Sequence, residues 1–247
     1  MTDQMTTMTD QLSVRVSPAV DDSGHREHRG AAIAAGVLYI VGTIAGVLSV
    51  VALSTVSDAA DPVATASANQ AAVVMGAVLI LVMGLSLALI PVVLMPVLRP
   101  VSEFLAYGYL VIRGAVETAC YVVLAAGVLS LVTLSGLGGS DETWRELGRV
   151  LLDSEATNTV LALVFCLGAA LFYIALFRSG IAPRWISGWG LVGIPLYVAA
   201  ALLAAFGAVE MDSTTQTLLF MPLALQEMVL AVWMIARGFR PVRPIAR

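Results

Sequence analysis

The 247-residue chain is poor in charged side chains and has no lysine at all. Only 12% of its residues are charged, whereas a typical soluble domain has about 25%. So few charges cannot cover a water-facing surface, which excludes an ordinary soluble globular protein. The net charge of −4 also argues against nucleic acid as a partner, because nucleic-acid-binding surfaces are basic.

Residues that bind metals or carry out common catalytic steps are equally scarce. Both histidines, His25 and His28, lie in a polar N-terminal segment, so no apolar run supplies a histidine ligand for haem or zinc. The cysteines, Cys120 and Cys166, lie inside apolar runs, as small core residues do. No HExxH, CxxC, Walker or GxSxG motif occurs. We therefore expect no cofactor and no metal site, and the balance is against an enzyme.

Hydrophobic residues are abundant instead, making up 59% of the chain. They form six long runs, each able to cross the roughly 30 Å apolar core of a bilayer as an α-helix. The runs are continuous and do not alternate with polar residues, which favours helices over a β-barrel. We therefore predict an all-α integral membrane bundle of six transmembrane helices. The runs lie at 31–53, 71–97, 104–134, 157–177, 187–208 and 217–236.

The arginines outside these runs indicate an orientation. With six spans, the side that holds both termini carries most of them, whereas the other side has Arg145, Arg149 and most of the acidic residues. The positive-inside rule then places both termini in the cytoplasm. We predict a multi-pass protein of the bacterial cytoplasmic (inner) membrane. The arginines on the predicted cytoplasmic side are Arg15, Arg26, Arg29, Arg99, Arg178, Arg184, Arg237, Arg240, Arg243 and Arg247.

Three parts of the chain follow from this layout. Residues 1–29 are polar and lack the apolar middle of a signal peptide, so we predict a disordered cytoplasmic tail. Residues 30–237 form the six-helix transmembrane domain, and residues 238–247 form a basic cytoplasmic tail.

Two local patterns add detail. Between the third and fourth runs, Trp144, Leu147 and Leu151 recur at helical spacing, which predicts a short amphipathic helix on the outer surface. In the first run, Gly42 and Gly46 form a GxxxG motif that permits close approach of another helix.

Three formally charged residues lie well inside the runs: Arg113, Glu117 and Glu227. An ionisable side chain at membrane depth costs a few kcal/mol, so it must face the bundle interior and find partners. Arg113 and Glu117 are four residues apart and share a helix face. A helical rise of 1.5 Å per residue places Arg113 roughly 14 Å and Glu227 roughly 15 Å from the same membrane edge. These two residues could therefore pair across helices.

Polar neighbours extend this cluster. Tyr109 and Tyr121 continue the stripe of Arg113 and Glu117 on both sides, and Gln226 adjoins Glu227. Two carboxylates against one guanidinium leave one excess negative charge. In a dry site that excess favours a protonated carboxylate, a bound cation or a cationic ligand. Weaker candidates are Tyr39, Thr43, Asn69, Gln70, Asn158, Tyr173 and Tyr197.

Four stretches carry a combination of residues found together in one family: GVLYIVGTIAGVLS at 36–49, VIRGAVETA at 111–119, PRWISGWGLVG at 183–193 and QEMVLAVWMIARGF at 226–239. In these the chain resembles the bacterial membrane-protein family called domain-of-unknown-function 4386 (DUF4386). The resemblance covers nearly everything from about 30 to 240 and implies a six-helix protein, but no biochemical activity. The family's charged motif positions match Arg113, Glu117 and Glu227.

Three functions fit these observations. In the first and favoured one, the cluster binds or transports a small molecule, a lipid or a proton. In the second, Glu117 or Glu227 is the general acid of a membrane enzyme acting on a lipid or isoprenoid. In the third, the chain is a non-catalytic subunit or assembly factor, and the cluster is a buried ion pair that fixes helix register. The lipid bilayer is the partner that the sequence identifies; the ligand and the oligomeric state stay open.

An internal repeat would favour transport. Glu117 and Glu227 each precede an apolar run, so residues 31–134 and 157–236 could be inverted repeats of three spans. This hypothesis predicts that the third and sixth spans are adjacent.

Overall fold

The structure, a computed structural model, describes residues 19–139, 141–152, 155–209 and 213–240. Within these residues the regular structure is entirely helical, with one π-helical segment and no strand. The α-helices are α1 (Ala19–Ser57), α2 (Pro62–Ala68), α3 (Gln70–Leu98), α4 (Glu103–Tyr109), α5 (Thr118–Gly136), α6 (Glu142–Leu152), α7 (Glu155–Ser179), α8 (Arg184–Ala205) and α9 (Thr214–Arg237), and the π segment is Leu110–Glu117.

Six membrane spans can be recognised by length and apolar composition, as the sequence predicts. The helices α1, α3, α7, α8 and α9 each supply one span. The remaining one, the third span, consists of α4, the π segment and α5 in continuous succession. The chain is therefore a multi-pass membrane protein, and the predicted all-α architecture is confirmed.

The six spans form a closed ring. Each span packs against the spans that precede and follow it in sequence, and α1 closes the ring against α9. In such a ring the third and sixth spans lie on opposite sides, and among the described residues they are not a closely packed helix pair. The prediction that these two spans are adjacent is therefore wrong, because short connections between antiparallel helices place sequence neighbours side by side. The inverted-repeat hypothesis, and the argument for transport built on it, fail with that prediction.

The two ends of the ring differ. At one end, here called the terminal end, the backbone N–H of Arg240 donates to the carbonyl of Ile181 at 3.0 Å, and Arg29 lies beside Gly238. At the opposite end, here called the cap end, the helices α2 and α6 pack on α5. Arg149 donates from Nη2 to the carbonyl of Ala60 at 3.2 Å, which ties α6 to the chain just before α2. Which end faces the cytoplasm stays a prediction.

Some boundaries differ from the sequence prediction. The helix α1 begins at Ala19, inside the segment predicted as a disordered tail, so helix extends beyond the apolar run. The rest of that tail, and residues 241–247 of the C-terminal one, lie outside the described residues. The helix α6 lies where a short amphipathic helix is predicted, although its placement on the outer surface stays a prediction. The helix α2 was not predicted; Asp61 caps it by accepting from the N–H of Ala64 at 3.0 Å.

Glycines set how closely α1 approaches its neighbours. A Cβ built on Gly42 would lie 3.2 Å from Leu87 of α3, and one on Gly46 would lie 2.6 Å from Met83 of the same helix. These positions leave little or no room for a larger side chain, so the GxxxG motif does bring two helices together as predicted.

Candidate functional site

The π segment of the third span carries both of its buried charges. Arg113 and Glu117 lie within Leu110–Glu117, where backbone hydrogen bonds run from i to i+5. The hydroxyl of Thr118 donates to the carbonyl of Arg113, five residues earlier, at 3.5 Å. Segments of this kind are frequent at functional sites, and they change the direction in which the side chains of a helix point.

Arg113 lies between two carboxylates on opposite sides of the ring. Its Nη1 is 3.5 Å from Oε2 of Glu117, and its Nη2 is 3.5 Å from Oε1 of Glu227 on α9. The side chains of Arg113 and Glu117 are 1% and 0% exposed. The predicted pairing of Arg113 with Glu227 across helices is therefore confirmed, and it connects the third and sixth spans through side chains. We call Arg113, Glu117 and Glu227 the charged cluster.

Aromatic rings surround the guanidinium group. Its central carbon lies 5.5 Å from the ring centroid of Tyr39 and 5.0 Å from that of Phe165, within the range of cation–π attraction. Toward the terminal end, Tyr109 stacks on Phe172 with centroids 4.8 Å apart and planes 7° from parallel. Tyr173 beside this stack is fully buried. These rings close the cluster on its terminal side.

Hydrogen bonding within the charged cluster is incomplete. Among the residues that the structure describes, both carboxylate oxygens of Glu117, Oε1 of Glu227 and Nε of Arg113 have no hydrogen-bond partner. The two ion pairs are longer than the 2.7–2.9 Å or so of a good charge-assisted hydrogen bond. The site therefore combines one cation with two carboxylates that retain free acceptor capacity.

Of the other predicted site residues, Tyr109 lies near the charged cluster, whereas Tyr121 and Gln226 make contacts elsewhere. Tyr109 is buried close to the cluster, whereas Tyr121 packs toward α3, where a Cβ on Gly84 would touch its ring. Gln226 is fully buried, but its Nε2 donates to the carbonyl of Ile186 at 3.1 Å. Gln226 thus ties α9 to α8, and its predicted role beside Glu227 stays a prediction.

The weaker candidates lie in several places. Tyr39 faces Arg113, and Tyr197 stacks with Phe220 at a centroid distance of 4.1 Å and lies 5.2 Å from Phe165. Asn69 donates to the carbonyl of Thr65 at 2.9 Å, which is a structural role near the cap end. Thr43 is exposed on α1, Gln70 is the first residue of α3, and Asn158 lies near the start of α7. Sequence reasoning missed Phe165, since a phenylalanine in an apolar run gives no signal.

Glu227 differs from its helix neighbours in exposure. Leu223, Leu230 and Met234, which share its helix face, are all 0% exposed. The side chain of Glu227 is nevertheless 16% exposed. Part of the Glu227 side chain is therefore accessible, unlike the side chains of Arg113 and Glu117.

Comparison with known proteins gives one result. A family model described as Domain of unknown function (DUF4386) matches residues 34–238. No curated protein and no solved structure matches the chain.

Proposed function

The chain belongs to the DUF4386 family, whose function is unknown, and we propose that it binds a positively charged ligand at the charged cluster within the membrane. The ligand would be a proton or a cationic small molecule. One observation carries this proposal: two carboxylates share a single guanidinium group and keep oxygens that have no hydrogen-bond partner in the part of the chain that the structure describes.

The charge of the site favours a cation. One guanidinium against two carboxylates leaves one negative charge where the surroundings are apolar, and an unbalanced charge is costly there. A proton or an organic cation next to a carboxylate would remove the imbalance and occupy the free acceptor positions.

The geometry supports different roles for the two carboxylates. Glu117 is fully enclosed and stays beside Arg113 on the same π segment, so it would hold the guanidinium in place. Glu227 is on another helix and is partly exposed, so it would contact the ligand. A purely structural ion pair would be expected to satisfy its hydrogen bonds more fully, because incomplete pairing of buried charges is destabilising.

Orientation and location belong to the same proposal. Arginines gather at the terminal end, among them Arg99, Arg184 and Arg237, and this supports a cytoplasmic position for both termini. The bacterial cytoplasmic membrane is the location that this arrangement favours.

Infrared spectroscopy tests the proposal directly. Protein reconstituted in lipid nanodiscs is titrated with acid and base, and the carboxylic-acid C=O band is followed in difference spectra. We expect a band that disappears in Glu227→Gln, because the glutamine side chain cannot exchange a proton. Glu103→Gln is the matched control, since Glu103 is an exposed carboxylate paired with Arg99 at the terminal end. An identical band in wild type and Glu227→Gln would overturn the proposal.

A further inference from the structure

One face of α1 changes from buried to exposed along its length. Positions spaced by three or four residues lie on the same face of a helix. Six such positions of α1 form a stripe along the helix, whose members are buried near the terminal end and exposed toward the cap end. The buried members are Ala32, Gly36 and Tyr39, and the exposed members are Thr43, Val47 and Val50.

The facing side of α9 shows the same change. Ala231 is fully buried, and a Cβ on Gly36 would lie only 2.6 Å from its carbonyl oxygen, so the two helices touch near the terminal end. Seven and fourteen residues earlier on the same stripe, Ala224 and Thr217 are exposed. The helices α1 and α9 therefore pack closely near the terminal end, and the continuation of their facing sides toward the cap end is exposed.

On another face, α1 stays packed on α3 toward the cap end. The face with Gly42, Gly46 and Leu53 lies against α3, where a Cβ on Gly76 would touch Leu53. The exposed strip along the facing sides of α1 and α9 is here called the lateral opening. Its residues are Thr43, Val47, Val50, Thr217 and Ala224, and Tyr39 and Glu227 come next along the two helices toward the terminal end.

The lateral opening lies at membrane depth. Glu227 is ten residues before Arg237, which is roughly 15 Å along the helix axis. The walls toward the lipid are mostly apolar, and the side chains of Val47 and Val50 are 58% and 70% exposed. A solute that enters here comes from the hydrocarbon region of the bilayer, so it must itself partition into lipid.

We propose that the lateral opening admits an amphiphile with a cationic headgroup from the bilayer, and that the headgroup pairs with Glu227. This inference rests on the proposed function and adds the ligand class and the route. The headgroup is cationic because Glu227 is the member of the charged cluster whose side chain is partly exposed, whereas Arg113 is enclosed and engaged with two carboxylates. The alkyl chain lies between α1 and α9, along Val47 and Ala224.

The test uses dodecyltrimethylammonium as the probe in nanodiscs, with the Glu227 carboxylic-acid band as the readout. The bound cation should displace the proton and abolish the band. Sodium dodecyl sulfate, which has the same chain and opposite charge, should leave the band unchanged. Ala224→Trp should raise the dodecyltrimethylammonium concentration needed by at least tenfold, because the indole fills the opening. Ala199→Trp, at an exposed alanine of α8 away from the opening, should cause no shift.

The outcomes separate the two proposals. If Ala224→Trp and Ala199→Trp behave like wild type while Glu227→Gln lacks the band, the binding site stands and the lateral route is wrong. If wild type has no band that depends on Glu227, the proposed function itself fails. Thr43→Trp blocks the same opening from α1 and replaces Ala224→Trp if that variant does not fold. Equal potency of the cationic and anionic amphiphiles would overturn the choice of a cationic headgroup.

Discussion

Arg113 is the residue whose removal should cost the protein most. Among the residues whose burial the structure describes, it is the largest fully buried side chain, and its guanidinium group faces both Glu117 and Glu227. Arg113→Ala would leave two buried carboxylates without a cation, so we expect a loss of about 3–5 kcal/mol in the free energy of unfolding. Unfolding of the purified wild type and variant in mixed micelles measures this loss in the free energy of unfolding. Arg99→Ala removes an exposed ion pair and should change stability by less than about 1 kcal/mol.

A second change distinguishes charge from packing at the same site. Glu227→Gln keeps the shape of the side chain and removes one negative charge, so Arg113→Ala combined with Glu227→Gln should lose less stability than the two single losses added together. If the double variant is additive, the two side chains do not interact, and the 3.5 Å pairing is unimportant in the membrane.

At the scale of the helices, the contact between α1 and α9 gives a prediction with an internal control. Gly36→Ala would place a methyl group 2.6 Å from the carbonyl of Ala231, so the helices must separate. Overpacking of this kind typically costs about 1–3 kcal/mol. Gly30→Ala in the same helix meets nothing within 4 Å and should be neutral or slightly stabilising. Comparison of the two unfolding midpoints checks the prediction, and equal midpoints would contradict the close contact.

At the scale of the molecule, the orientation can be tested by labelling. In a background with Cys120→Ala and Cys166→Ala, a membrane-impermeant thiol reagent is applied to intact cells. Ala60→Cys, at the cap end, should react from outside, and Arg184→Cys, at the terminal end, should react only after the cells are opened. The reverse pattern would place both termini outside and overturn the orientation that the arginines favour.

The number and nature of the spans could be predicted because the bilayer is a simple solvent. Any backbone that crosses it must satisfy its own hydrogen bonds, so long apolar runs become helices whatever their neighbours are. The pairing of Arg113 with Glu227 could be predicted for the same reason. The depth of a residue in the membrane follows from the helical rise, and charged side chains at that depth must find partners. The helix α2 was harder to predict, because a helix of seven residues that begins with a proline gives little periodic signal.

The sequence by itself thus determined a six-span helical membrane protein, membership in a family without known activity, and three charges inside the spans, of which Arg113 and Glu227 lie at similar depth by helical rise. Only the tertiary structure decided which other residues meet those charges. The rotation of α8 and α9 turns Gln226 to Ile186, and the approach of α7 brings Phe165 over Arg113. The exposure of Thr43, Val47 and Val50 likewise depends on how α1 packs against its neighbours. Rotation and tilt are set by packing between helices distant in sequence, which a one-dimensional pattern of apolar residues does not specify.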